Sequence, residues 1–583
     1  MNKILKGLTI SAVALGMTAC SADYLNEPPI DSITDEQLGE SLEGMKAAMN
    51  GVAQTMYILY NPSATERYGN GEGYFQTYYG DSPSPDYANM WLWGSQAQYQ
   101  PWTFMTRDTD SGGSYAWMYA YTLINQANTI LQKIDGVAAE QSEKDNIKAQ
   151  ALTIRAHAYV RLMQVYGPRF EDRKNGDELT VVLRLTPGTD PMPLSDYKTV
   201  VGQIYKDLDD AIALFESSGI TRVKGEGWLP NIDVARGIYS RIALINHDWA
   251  KAQKMAHDGR QNYPIMSADE YVAGFADPNG EWMWFNNRDR SNNGYYSWGA
   301  SFSCNGGYST NYNWAGSGGQ MSWRLYKQVY DKYPDADVRC DLYWMPDKVN
   351  WFADYGFTEA DFWDNTIVAP AYLNMWLVDP YMTAAISMWT ASMTPEGYSG
   401  AFNIWLGFSP NMSDAVIQQY FGLLKQNGFE DRVQFGAQLK FWSSKPDLGD
   451  SNHAFMRASE LLLNEAEAAL EQGDETTARE CLKELNSNRI SGYTCTATGD
   501  ALKEELRLYR RMELWGEGDT WFSFKRWNIT ATRDAWKAGD PTSGNFKDAY
   551  KGSWDPSYGN GWRYQIPRAE KDYNPYINSQ LNQ

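Results

Sequence analysis

The sequence predicts a mainly α-helical scaffold of tetratricopeptide-type helix pairs, interrupted by one long loop-rich, aromatic-rich insertion. Three observations point there. Apolar residues recur at helical spacing in blocks on both sides of the chain's middle. Small residues sit where paired helices must approach closely. Between about 271 and 449 the periodicity fades while tryptophans accumulate.

The first element is a leader. Lys3 and Lys6 precede an apolar run from Leu8 to Ala19 that ends at Cys20. The run is too short to span a bilayer, and a Cys directly after small residues reads as a lipoprotein cleavage site. On that reading residues 1–19 are a signal peptide and Cys20 is acylated as the new N-terminus. Met17 stands where such signals usually carry Leu, and an ordinary secretory signal with an incidental Cys is the alternative. Residues 20–36, polar and proline-containing, form a lipidated tether, and residues 37–583 follow as a single unit.

Within that unit a helical scaffold is expected over about 37–270 and 450–583. Leu152, Ala156, Tyr159, Met163 and Tyr166 recur at alternating steps of four and three and share one helix face, and Gly167-Pro168 ends that helix. Val201, Ile204, Leu208, Ile212 and Phe215 repeat the pattern in the next helix. Ala243, a turn at His247-Asp248, Ala252 and Pro264 match a tetratricopeptide pair. Ala466, Ala469, a turn at Gly473-Asp474 and Ala478 match a second.

The formal charge is −21, and it becomes −23 once the leader removes two lysines and no acid. So acidic a chain is unsuited to nucleic acid or to an anionic membrane face. No later stretch is long and apolar enough for a membrane helix. Beyond Cys20 stand Cys304, Cys340, Cys481 and Cys495, for which free buried thiols are expected; Cys481 and Cys495 are the candidate pair nearest in sequence. The four histidines are scattered, none at zinc-ligand spacing, and neither metal nor cofactor is called for.

Eleven of the 24 tryptophans lie between Trp282 and Trp405, and Ser291–Trp323 holds no charged residue in a chain that is 21% charged. Gly71–Thr106 lacks Lys and Arg and carries Tyr74, Tyr78, Tyr79, Tyr87, Trp91, Trp93, Tyr99 and Trp102. Rings among uncharged polar groups suit a neutral, hydroxyl-rich ligand, whose apolar faces stack on Trp and Tyr while amides bond its hydroxyls. Trp91 and Trp93, if extended, point to one side of the chain. Trp298 and Trp314 lie in the longest uncharged, turn-rich stretch. The alternative is that these rings pack a loop-rich subdomain. Acidic runs such as Asp207, Asp209 and Asp210, or Glu513, Glu517 and Asp519, read as solvated helix faces. No nucleophile elbow, phosphate loop or metal motif is present, although a glycosidase carboxylate pair would meet only in three dimensions.

At the level of motifs the chain resembles the SusD/RagB-type outer-membrane lipoproteins of the Bacteroidota. The likeness runs through Asp23-Tyr24-Leu25, Ile124-Asn125-Gln126-Ala127-Asn128, Arg155-Ala156-His157-Ala158-Tyr159, Val165-Tyr166-Gly167, Met192-Pro193-Leu194-Ser195 and Asp248-Trp249-Ala250-Lys251-Ala252. Its most specific part is Arg510-Arg511-Met512-Glu513-Leu514-Trp515-Gly516-Glu517-Gly518 with Trp521-Phe522-Ser523-Phe524-Lys525-Arg526-Trp527, followed by Ile566-Pro567, Glu570 and Asn574-Pro575. The resemblance implies a surface-exposed, lipid-anchored, non-catalytic protein of the outer membrane. Such a protein binds oligosaccharide or polysaccharide, or in some branches peptide, and caps a SusC-like TonB-dependent transporter. It implies a ligand site in two loops, here Trp91, Trp93 and Gln96, and Tyr296, Trp298, Tyr312 and Trp314. It implies structural roles for Glu513, Trp521 and Trp527. A peptide-binding member and a secreted glycoside hydrolase are the competing readings.

Overall fold

The computed structural model describes residues 41–56, 71–89, 102–109, 111–286 apart from 224 and 276, 323–325, parts of 332–344, 437–438, 440, 452–535 and 550–581. Among these the fold is mainly helical. Helices α1 (Leu42–Thr55), α2 (Ser111–Lys133), α3 (Gln141–Tyr166), α4 (Tyr197–Ser218), α5 (Ile232–Ile245) and α6 (Trp249–Arg260) pack successively in the N-terminal half. In the C-terminal half, α7 (Ala458–Glu471) packs on α6 as well as on its own partner α8 (Glu475–Asn486). α9 (Gly499–Glu513), α10 (Thr520–Trp527), α11 (Arg568–Tyr573) and α12 (Pro575–Leu581) complete the chain.

The stripe on α3 is buried as its spacing predicts, and so is the rest of that helix from Ala149 to Tyr166 except Gln164. The extra burial is possible because each inward polar group has a partner. Arg155 makes a bidentate pair with Asp207 on α4, at 2.7 and 2.6 Å. Arg161 and His157 converge on Glu72. At the C-terminus Gly167 N donates to Met163 O, and a Cβ on Gly167 would sit 2.4 Å from that oxygen. α4 starts on an Asp196 cap to Thr199 N at 2.8 Å and stops at Gly219, whose φ of +63° suits glycine.

The two tetratricopeptide-type pairs, α5–α6 and α7–α8, turn alike. Asp248 N donates to Ala243 O at 2.8 Å, and Asp474 N to Ala469 O at 2.9 Å. A residue of positive φ precedes each Asp, His247 at +54° and Gly473 at +82°. Each Asp then caps the next helix through Lys251 N or Thr477 N. His247 tolerates a conformation that favours glycine because its ring is stacked between Phe170, at 3.8 Å, and Trp249, at 4.5 Å. Ala243, Ala252 and Ala468 are fully buried together, so the helix axes close on one another without side-chain volume between them.

Short strands tie the halves together. β4 (Trp282–Phe285) pairs antiparallel with β8 (Ala454–Arg457), and β2 (Leu179–Val182) with β3 (Leu194–Asp196). A four-stranded sheet runs in the order β1 (Tyr87–Asn89), β5 (Trp323–Leu325), β7 (Ala437–Gln438), β6 (Tyr343–Trp344). β9 (Ala531–Arg533) pairs with β10 (Gly552–Trp554).

Two sequence expectations are corrected here. Of the aromatic stretch 71–106, Tyr74, Tyr78, Tyr79, Tyr87 and Trp102 are core residues, each at most 2% exposed. Trp102 stacks on Trp554 at 4.5 Å and meets Trp562 edge-on at 4.7 Å, which is core packing and not a ligand surface. Nor is the run Glu513, Glu517 and Asp519 a solvated face, and in the run Asp207, Asp209 and Asp210 only Asp207 turns inward. Asp207 is buried against Arg155 while Asp209 is exposed, and Glu513, Glu517 and Asp519 all turn inward onto guanidinium groups. Alternation of charge along the chain does not reveal that a cation arrives from a distant element. Cys481 and Cys495 are free thiols, and Cys340 and Cys481 are buried.

Replacing Ala252 by Phe forces a ring into this alanine-lined contact and is expected to lower stability by about 1–3 kcal/mol. The check is the urea midpoint, which should fall at unchanged m-value.

Candidate functional site

The residues that the sequence singles out for ligand binding, Trp91, Trp93, Gln96, Tyr296, Trp298, Tyr312 and Trp314, lie outside the described residues, as does Cys20. What the structure fixes is where their segments are rooted. β1 and β5 are antiparallel with Tyr87 opposite Leu325, Ala88 opposite Arg324 and Asn89 opposite Trp323. The chain toward Trp91 leaves from Asn89, and the chain from Trp314 arrives at Trp323. Paired strands hold those two points about 5 Å apart. Trp91 is two residues from its root, a reach of roughly 7 Å. The strand pairing thus brings together the ends of two segments that are more than two hundred residues apart in sequence.

The root of β1 is itself clamped. Arg511 donates to both oxygens of Asp86, at 2.7 and 2.6 Å, and the Trp515 indole donates to Asp86 O at 2.9 Å. At the other side, Asn286 N donates to His453 O and His453 N donates to Asn286 Oδ1. Gln76 Nε2 donates to Ala454 O and Glu517 O, which turns its Oε1 toward the His453 ring, so His453 Nε2 carries the donated proton.

Beneath these roots lies a buried charge cluster centred on Glu513. Its carboxylate accepts from Arg457 at 2.8 Å, from Arg489 at 3.0 and 3.1 Å, and from Arg339 at 3.2 Å. Arg339 also forks onto Asp337, and Arg457 reaches Glu281 at 2.8 Å and Glu517 at 2.6 Å. Lys440 donates to Glu513 O, Trp515 O and Glu517. Four cations, Arg339, Lys440, Arg457 and Arg489, thus balance four carboxylates, Glu281, Asp337, Glu513 and Glu517. Burial pushes the Glu513 pKa up, but Arg489, Arg457 and Arg339 together outweigh it and hold the group well below the usual carboxylate range. A second set, Arg510 on Asp519 and Arg526 on Glu467, continues the pattern along α10. Lys525 caps the end of α3 through Gln164 O and Gly167 O, at 2.9 Å each.

The chemistry of this cluster is positioning. Burial raises the Glu513 and Glu517 carboxyls, but the cations beside them outweigh it and hold both below the usual carboxylate range, which suits positioning better than proton donation. The cavity lined by Gln76, Arg241, Glu460, Arg510 and Asp519 is about 30 Å³, room for a water or two and not for a sugar ring. Among the described residues no group of His, Cys, Asp and Glu is arranged to hold a metal ion, and no helix is long and apolar enough to cross a membrane. Sequence reasoning placed Glu513 and Trp521 in the frame but missed Glu281, Arg339, Lys440, Arg457 and Arg489. Their signal is weak: Arg457, between Met456 and Ala458, is a lone cation in an apolar run.

Glu513→Gln leaves three guanidinium groups short of a charge partner and is expected to cost about 3–5 kcal/mol in urea unfolding. A pH dependence follows from His453. Burial lowers its pKa to about 4, against 6.5 when unfolded. Between those values the unfolded chain binds the extra proton. Its contribution of about 3 kcal/mol is therefore complete above pH 6.5 and lost as pH falls toward 4. His453→Gln should flatten the fall of the urea midpoint across that window.

A family model described as "SusD family" matches residues 280–583, and one described as "Starch-binding associating with outer membrane" matches residues 26–225. A SusD-like protein of Bacteroides ovatus is 23% identical over 254 residues, an alignment that spans 42% of this chain and only 40% of that relative's length. The crystal structure of a SusD-like carbohydrate binding protein from Bacteroides vulgatus superposes with a TM-score of 0.67 over 93% of this chain and 98% of that one, at 20% identity. A SusD superfamily protein from Bacteroides thetaiotaomicron gives 0.65 over 92% and 99%, at 18% identity. At such identities the superpositions speak for a shared fold. The first family model covers more than half of the sequence, including the motif whose charges build the Glu513 cluster, and the chain belongs to the SusD family.

Proposed function

We propose that the protein is a cell-surface lipoprotein that captures oligosaccharide and delivers it to a SusC-like TonB-dependent transporter in the outer membrane, held there by acylated Cys20. The observation that carries the reading is the β1–β5 pairing, which roots two uncharged, aromatic-rich segments side by side on a clamped frame. Family membership supports it, as does the carbohydrate binding ascribed to the Bacteroides vulgatus relative. The platform consists of Trp91, Trp93 and Gln96 from one segment and Tyr296, Trp298, Tyr312 and Trp314 from the other. Stacking on indole faces with amide contacts to hydroxyls suits a neutral sugar. A peptide, with charged termini and side chains, suits uncharged segments less well. The commitment of Glu513, Glu517 and Asp519 to arginine partners supports binding without turnover.

The test is calorimetric titration of the full chain in detergent with a glycan panel. Trp91→Ala and Trp314→Ala are each expected to weaken binding about 5- to 100-fold at unchanged melting temperature, with bound glycan recovered uncut. Unchanged affinity in these and in the Trp93 and Trp298 variants removes the platform. Preferential binding of peptides, or cleavage of the glycan, replaces the reading with a competing one.

A further inference from the structure

A second concave region lies on other elements of the frame. α2, the β2–β3 connection and α11 enclose an open groove of about 670 Å³. That volume is typical of small-molecule sites, roughly 300–1,000 Å³. Trp117, Tyr121 and Asn125 stand four residues apart on α2 and so form one stripe along its wall. Tyr573, 57% exposed, and Glu570 form the opposite wall from α11.

The rings are held in place. Trp117 and Tyr121 have centroids 4.9 Å apart at 45°. The Tyr121 hydroxyl donates to Val182 O at 2.7 Å, and the Tyr573 hydroxyl donates to Thr189 O at 3.1 Å. With their hydroxyls tied to backbone, these rings have only their faces to offer. The loop between β2 and β3 is pinned as well. Gly188 N donates to Asn125 Oδ1 at 3.0 Å, Arg184 donates to Asp190 O, and Asn574 Nδ2 donates to Met192 O at 2.7 Å. A pre-ordered wall loses little freedom when a ligand binds.

The polar groups point to the ligand class. Gln126 Nε2 donates to Thr55 Oγ1 at 3.0 Å, while Gln126 Oε1, closed off from solvent, has no partner among the described residues. That oxygen faces the interior, which leaves Glu570 as the groove's accessible acceptor. Glu570 accepts from Asn574 Nδ2 at 3.1 Å and keeps further acceptor capacity. Ring faces and a carboxylate together match the C–H faces and hydroxyls of a neutral pyranose.

We propose that this groove is a second oligosaccharide-binding site, distinct in its residues from the platform of Trp91 and Trp314, with Tyr121 and Tyr573 as stacking walls and Glu570 as hydroxyl acceptor. The test uses the full chain in detergent carrying Trp91→Ala and Trp314→Ala together, so that the first platform is removed. Maltotriose, cellotriose and mannotriose are the probes, read by calorimetry and saturation-transfer NMR. At least one trisaccharide is expected to bind this double variant still. Adding Tyr573→Ala or Glu570→Gln, at positions outside the closed core, should weaken that binding about 5- to 100-fold at unchanged melting temperature. The proposal is overturned if the double variant binds none of the three, whether or not the parent chain does. Binding by the parent alone leaves the platform reading standing. It is equally overturned if both groove substitutions leave affinity intact, or if they abolish co-purification with a membrane transporter and leave sugar binding unchanged, which would make the groove a protein contact.

Discussion

The fold depends on one carboxylate being surrounded by arginines that reach it from separate parts of the chain. Glu513 ends α9; Arg457 ends β8; Arg489 follows α8; Arg339 comes from the region between the two helical halves. In a low-dielectric interior each charge is tolerable only when its partners are present. The cluster therefore assembles as a unit, and a partly formed version strands a buried charge. Well-packed apolar residues could match it for stability, so what the ions add is discrimination among arrangements of the same helices. Lys440 shows this most directly, because its three acceptors include two backbone carbonyls, Glu513 O and Trp515 O, which ties the far end of the insertion to the turn after α9.

That constraint passes to the strand roots through covalent neighbours. Two residues before Glu513, Arg511 grips Asp86, and two residues after it, Trp515 binds the same residue's carbonyl. β1 begins at the next position, so its register against β5 is set by the turn that carries the cluster. A ligand platform needs rings from distant segments to keep a fixed separation. Backbone pairing, with buried ion pairs behind it, fixes the separation of the two strand roots.

How much of this was legible follows from what each signal measures. The stripe from Leu152 to Tyr166 and the turns at His247-Asp248 and Gly473-Asp474 could be read because helical spacing and capping are local. The acidic runs are only partly legible because solvation and ion pairing leave the same trace in one segment: Asp209 is exposed as expected, and Asp207 differs from it only in which face of α4 it occupies. Composition groups Tyr74, Tyr78, Tyr79 and Tyr87 with Trp91 and Trp93, yet these tyrosines are core, since lack of charge marks burial as readily as a sugar site. The groove was missed for the converse reason. Tyr121 sits at core spacing on α2 behind the buried Trp117, and the element that makes it a wall, α11, lies about 450 residues away.

The proposed platform and groove, on one frame, bear on how a polymer would be held. Stacking contacts on one or two rings are individually modest, about 1–3 kcal/mol each, and release quickly. Fast release suits a protein that hands its cargo on, but it captures poorly from dilute solution. A glycan that touches a second weak site before leaving the first raises its own local concentration there, and retention grows without any contact becoming tight. The frame must then hold both regions without flexing, since a shifting separation would forfeit that gain. Close-packed alanine faces between helix pairs and an ion cluster that forms only as a whole are the kind of construction that resists such shifts.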